Sequence, residues 1–132
     1  MASGDESEAG LTVTSEDYAD CRVVAVSGRV DHTNSDRFLQ ELTDLTNSVA
    51  VGGGLVTDLS KLEFITSAGL RALLMADRHV KGNQGKMIVA GIEGVVKEVF
   101  RISKFDALLN VVDTAAEGVG QVSSAASEAY KG

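Results

Sequence analysis

Residues 55–74 read Leu55-Val-Thr-Asp-Leu-Ser-Lys-Leu-Glu-Phe-Ile-Thr-Ser-Ala-Gly-Leu-Arg-Ala-Leu-Leu74. Leu55 to Leu59 is almost continuously apolar or β-branched, the pattern of a strand covered on both faces, so it is expected near the centre of a sheet. The acidic Asp58 falls near the end of that run, and a short connector follows. Ser67 then stands where a helix is expected to begin, continuing to about Val80. Along that helix Gly69, Ala72, Leu73, Ala76 and Val80 share one wide apolar side, with Leu70 beside them. Asp77 and Lys81 are spaced to pair on its wet side. The arrangement sets one hydroxyl at the positive end of a helix, beside backbone N–H groups that favour an anion. Such a place can carry a phosphate, although an ordinary N-cap serine has the same local chemistry.

Upstream of this stretch, Leu11 to Thr14 alternates apolar and polar residues, as a half-buried strand does. Asp17 to Asp20 reads as a turn, and the valine-rich Cys21 to Ser27 as a second strand. Two strands so closely joined are expected to form an antiparallel hairpin. Gly28 is expected to break the second strand. Asp31-His-Thr-Asn34 then supplies cap chemistry for a helix. Phe38, Leu42, Leu45 and Val49 share one face of that helix, while Arg37 and Glu41 are placed to pair on the other. Gly52-Gly-Gly54 ends the connection.

Downstream, Gly82 to Gly85 is a turn and Met87 to Ala90 a buried strand. Residues 93–103 form a helix with Val96, Val99, Phe100 and Ser103 toward one side. Val111-Val112 is a short last strand. Ala115, Val119, Val122 and Ala126 lie at helical spacing within one helix over 115–130, weakened by Gly118 and Gly120. After the hairpin, strands and helices alternate, which favours parallel pairing with right-handed crossovers. The expected fold is therefore α/β: a mixed, mostly parallel sheet of about five strands with about four helices. Residues 1–10 are small, acidic and aperiodic and read as a disordered tail, which leaves 11–132 as one domain.

The chain has 132 residues, enough for a core without help from metals or disulfides. Its net charge is −7, the wrong field for phosphate backbones, so nucleic acid is not expected as a direct partner. The one cysteine, Cys21, excludes an internal disulfide and a cysteine zinc cage, and reads as an inert core thiol. No run approaches the roughly 18 apolar residues that span a bilayer, and the N-terminus lacks the basic and apolar regions of a secretory signal. No membrane association is expected, and a cytoplasmic location follows by default.

Three segments together resemble the STAS domain, and within it the bacterial anti-sigma-factor antagonists. Asp58-Leu-Ser60 with Ile65-Thr-Ser-Ala-Gly-Leu-Arg-Ala-Leu-Leu74 carries the resemblance most specifically. Val26-Ser-Gly-Arg-Val-Asp31, followed by Thr33-Asn34, is the second. Val96 to Phe100, Phe105 to Leu109 and Val111 to Asp113 are the third. The resemblance covers roughly residues 11–118.

What the resemblance implies is partner switching. The unphosphorylated antagonist binds an anti-sigma factor that is a serine kinase of the histidine-kinase-like ATPase fold, and so frees a sigma factor for transcription. The kinase phosphorylates one serine at a helix start, the complex parts, and a serine phosphatase resets it. Position by position the acceptor falls on Ser67, with Thr66 as a second candidate. The implied partner surface comprises Asp31, Thr33, Thr66, Ser67, Ala68, Gly69 and Arg71. No cofactor is expected on this chain, since ATP and Mg²⁺ belong to the kinase. Some family members carry an acidic residue just before the acceptor and a second serine just after it; here these places hold Thr66 and Ala68. Asp31 reads equally as a cap for the next helix. Arg71 reads either as a solvated cation or as a contact for phosphate or partner. The alternative within the same family is a scaffold or transport-associated subunit with no phosphorylation switch.

Other constellations are weaker. Asp31, His32 and Ser67 are the residue types of a nucleophilic triad, but Ile65 to Gly69 is not a G-x-S-x-G elbow, and the chain is not expected to be an enzyme. Gly52 to Gly54 lacks the Lys-Ser/Thr of a P-loop. His32 and His79 have no cysteine partners for a metal.

Overall fold

Strand β3 (Gly54–Ile65) is the axis of the molecule. In the computed structural model, which describes residues 10–48 and 53–130, it lies third in a five-stranded sheet ordered β1-β2-β3-β4-β5. The other strands are β1 (Leu11–Tyr18), β2 (Cys21–Val30), β4 (Lys86–Ala90) and β5 (Val111–Val112). The hairpin β1–β2 is antiparallel, and every later pairing is parallel. The helices are α1 (Ser35–Asn47), α2 (Ser67–Gly82), α3 (Gly94–Ser103), α4 (Ala115–Val122) and α5 (Ser124–Ala129).

Side chains alternate across a strand, so each parallel strand feeds two cores. On one face Leu55, Leu59, Leu62 and Ile65 of β3 meet Phe38 and Leu42 of α1, Leu70 and Leu73 of α2, and Val96 and Phe100 of α3. On the other, Val56 and Ile88 meet Val119 of α4 and Ala126 of α5, together with Cys21. Crossovers of one hand between neighbouring strands put successive helices on one face, which leaves the opposite face for the C-terminal pair.

Several boundaries differ from the sequence reading. Strand β1 continues to Tyr18, and the turn shrinks to Ala19 and Asp20. Gly28 does not end β2: it takes φ +96° beside a register shift, and the strand runs on to Val30. The expected connector after Leu59 is more β3. Leu62 is buried between exposed Lys61 and Glu63, Ile65 is buried again past a second register shift, and this part of β3 pairs with β2 alone. A bulge lies between, where Asp58 stays opposite Ala25 and Lys61 moves opposite Ser27. The Asp58 Oδ1 accepts from the Ser60 N–H at 3.0 Å and so satisfies a donor inside the bulge.

The single helix expected over 115–130 is two helices. Ser123 is extended (φ −168°, ψ 160°), and its hydroxyl caps α5 by accepting from the Ala126 N–H at 3.0 Å. The Arg37–Glu41 pair forms at 2.6 Å. The Asp77–Lys81 pair forms at 3.0 Å, but only Lys81 stands on the wet side: its side chain is exposed, whereas that of Asp77 is 5% exposed. In α1 the third buried position is Thr46, whose hydroxyl donates to the Leu42 carbonyl at 2.8 Å. Val49 and nearly all of the expected acidic tail lie outside the described residues.

Candidate functional site

Val30 and Ile65 are register partners at the ends of β2 and β3, so the chain leaves the sheet twice at one edge. The first exit is the loop from Asp31 to Asn34. The second is Thr66, which leads directly into α2. The C-terminal edge of parallel strands is where α/β sheets gather their exposed loops. The backbone joins the two exits, because the Thr66 N–H donates to the Val30 carbonyl at 3.0 Å.

Thr66, not Ser67, holds the N-cap position. It is extended (φ −98°, ψ 176°), and its carbonyl accepts the first helical bond from the Leu70 N–H at 2.9 Å. Its side chain caps nothing; the Thr66 hydroxyl instead points back to the Val30 carbonyl at 3.5 Å. Ser67 is thus the first helical residue, and its side chain is exposed. The N–H groups of Ser67, Ala68 and Gly69 fall in the first turn, where a helix has no internal acceptor to offer.

Asp31 is not the cap of α1, since Asn34 occupies that position. The Asp31 Oδ1 accepts from the Thr33 N–H at 2.9 Å and the Thr33 hydroxyl at 2.5 Å. Those bonds, the hydroxyl's first, hold the Asp31 carboxyl below the usual carboxylate range. The loop is pinned from inside by Asn34, which is 2% exposed. Its Oδ1 accepts from the Asp31 N–H at 2.9 Å and its Nδ2 donates to the Arg29 carbonyl at 3.0 Å. Asn34 was legible in the sequence as cap chemistry, but not as the residue that holds the loop.

Gly69, expected on the partner surface, is buried. A Cβ there would stand 2.6 Å from Ile65 Cγ1 and 2.8 Å from Val30 Cγ1. The missing side chain lets the start of α2 lie against both strand ends, which is how Ser67 comes to the edge. Thr33, Ser67 and Arg71 are exposed, whereas Asp31, Thr66 and Ala68 are half-buried. Arg71 lies one turn beyond Ser67 on the solvent side of α2. Met75 and Arg78, which belong to none of the motifs in the sequence, continue that side and are both exposed. Their spacing from Arg71, four and seven residues, was the available signal.

His32 is exposed, and His79 is engaged with the Asn47 side chain at 2.9 Å. A separate hollow of about 250 Å³ lies between the hairpin and the C-terminus, lined by Thr14, Tyr18, Val23, Ala25 and Tyr130 among others. It includes none of the site residues. Among the described residues, no helix is long and apolar enough to cross a membrane.

Comparison with known proteins brings one family forward. A family profile described as STAS domain matches residues 12–118. A Bordetella bronchiseptica protein named "Putative anti-sigma factor antagonist BtrV" is 30% identical over 95 residues, which span 70% of this chain and 78% of that one. Among solved structures, an anti-sigma factor antagonist from Mycobacterium paratuberculosis superposes with a TM-score of 0.74 at 24% identity, covering 85% of this chain and 93% of the other. The antagonist SpoIIAA in its unphosphorylated form superposes at 0.68 with 20% identity, covering 84% and 96%. The phosphorylated form of SpoIIAA, from Bacillus, superposes at 0.61 with 17% identity, covering 85% and 100%.

Proposed function

The chain belongs to the STAS domain family, and from that premise we propose that it is a non-enzymatic anti-sigma-factor antagonist switched by phosphorylation of Ser67. Unphosphorylated, it binds an anti-sigma factor that is also an ATPase-fold serine kinase, and a sigma factor is released. The exchange takes place in the cytoplasm, with a serine phosphatase closing the cycle. The observation that carries it is the position of Ser67: exposed, first in α2, and on the same sheet edge as the Asp31–Thr33 loop. The relative named as an anti-sigma factor antagonist supports the choice of partner.

In the proposed transfer the Ser67 oxygen bonds to the γ-phosphorus of ATP held by the kinase. The bond from that phosphorus to ADP breaks, ADP leaves, and the hydroxyl proton passes to a base on the kinase or to water. The product adds a charge of about −1.5 to −2 and three acceptor oxygens. On this chain those oxygens meet the unpaired N–H groups of the first helical turn, so the fold tolerates them. A partner packed against Ser67 instead meets a dianion that it must desolvate. Moving a complex from 99:1 to 1:99 takes about 5.5 kcal/mol of differential affinity. Charge repulsion and buried-charge penalties reach that order in a closed interface.

The test is incubation with the switch kinase of the same cell and ATP–Mg²⁺, followed by phosphosite mapping and binding curves. Phosphate is expected on Ser67. Ser67→Ala should bind as the unmodified chain does and resist labelling, whereas Ser67→Asp should bind at least about tenfold more weakly. Phosphate elsewhere, with Ser67 untouched, overturns the assignment.

A further inference from the structure

Ser67, Arg71, Met75 and Arg78 form one ridge along α2, all four exposed, opposite the buried Gly69, Leu73, Ala76 and Val80. The ridge is basic in a chain whose net charge is −7. The one acidic residue of α2, Asp77, is buried off the ridge and already paired with Lys81. Among the described residues, the ion pairs formed by arginine engage Arg22, Arg37 and Arg101, and Arg29 lies over the Phe64 ring at 5.3 Å, which leaves the guanidinium groups of Arg71 and Arg78 open to a partner. Between them stands Met75, 47% exposed. Solubility does not account for this sign, because the rest of the surface already supplies charge of the other sign.

Resting on the proposed function, we infer that this ridge docks an acidic face of the kinase with an apolar socket for Met75. We infer further that a phosphate on Ser67 ends the contact partly by capturing Arg71. Guanidinium groups match carboxylates in a two-bond fork, and a flexible thioether adapts to an apolar hollow. Residues four apart on a helix are neighbours, and an anion placed N-terminal to its cation is the better orientation. Phosphoserine at 67 therefore competes for Arg71 with whatever carboxylate the partner offers. The two arginines give the ridge a charge of +2, and a phosphate of about −1.5 to −2 brings it close to zero. One modification thus repels the acidic face and removes a cation that held it.

The test measures affinity of the full chain for the purified switch kinase at about 50 and 300 mM salt. Wild-type affinity should fall as salt rises. Arg71→Glu, Arg78→Glu and Met75→Asp should each weaken binding about tenfold or more. Lys104→Glu, off the ridge at the end of α3, makes the same change in net charge as either arginine reversal and should stay within about twofold. Circular dichroism checks that each variant is folded. If the kinase binds and phosphorylates Ser67 but the arginine reversals bind as tightly as wild type, the ridge is not the docking face and the functional reading stands. If the kinase does not bind wild type, both fail.

A second measurement needs no kinase. In a chain carrying phosphoserine at 67, phosphorus NMR should show a second pKa below the ordinary value of about 6, rising in Arg71→Ala. Identical titrations with and without the arginine overturn the capture step.

Discussion

Cys21 opens β2 with its thiol in the core shared by α4 and α5, 1% exposed. Burial, aided by the charges of Asp20 and Asp17, pushes it up from an ordinary 9.0 to about 11. Such a group is a protonated, inert thiol at neutral pH, in keeping with the core role read from the sequence. The native state keeps this proton after the unfolded chain has lost it. Its stabilising contribution is therefore complete below about pH 9 and is lost as pH rises through about 11. Denaturant titrations between these values should show stability falling more steeply in wild type than in Cys21→Ala. Thr57 offers the opposite case. It is fully buried, and among the described residues its hydroxyl has no hydrogen-bond partner. Thr57→Val keeps the shape and removes the unsatisfied oxygen, so the unfolding free energy should rise by about 1 kcal/mol. The core place of Cys21 is legible in its valine-rich strand, whereas the lack of a partner for Thr57 is not. Leu55-Val-Thr-Asp-Leu59 shows that Thr57 sits in a buried strand, not that its hydroxyl goes unpaired.

Helix α2 illustrates how far periodicity reaches. Its apolar side, its start near residue 67 and its pairing of Asp77 with Lys81 were all legible, because they depend on 3.6-residue spacing. The burial of Asp77 was not, since it depends on how closely neighbouring elements crowd that side of the helix. Gly69 is the contact on which the docking of α2 turns. Gly69→Ala improves helix propensity by about 1 kcal/mol, but its methyl would collide with Ile65 and Val30. Overpacking of this kind costs about 1–3 kcal/mol, so thermal unfolding should shift downward despite the better helix former. An unchanged or higher midpoint would show that α2 slides without penalty. The C-terminal helix pair teaches a related lesson. Gly118 and Gly120 looked like its weak points, yet the break comes at Ser123. That hydroxyl is drawn to the Asp20 carboxylate at 2.6 Å while its lone pair caps α5.

The family match ends at residue 118, whereas the described chain continues through α5 to Tyr130. This extension folds back across the second face. Ala126 enters the core with Cys21, and the Tyr130 ring meets Tyr18 edge-on at 4.9 Å. It ties the last helix to the first hairpin, on the face of the sheet opposite α2. A chain ending at Val122 should therefore still fold and still accept phosphate at Ser67. It should also melt at lower temperature, and its Cys21 should react faster with an alkylating reagent near pH 8. Equal alkylation rates in the two chains would show that α5 does not shield the thiol. The one-sided placement of α1, α2 and α3 reflects the same geometry: parallel neighbours joined in order leave the other face open for a C-terminal cover.

Strand and helix order, the hairpin, the central place of β3 and an exposed serine at a helix start were all written in spacing and residue type. Each depends on contacts within a turn or a pleat, and short-range periodicity records those. The extension of β3 to Ile65, the passage of β2 through Gly28 and the transfer of the cap to Thr66 depend on Val30 and Ile65 finishing side by side. So does the meeting of the Asp31 loop with Ser67. Those outcomes are set by the register between strands more than 30 residues apart, and a pairing partner at that distance leaves no mark on local pattern.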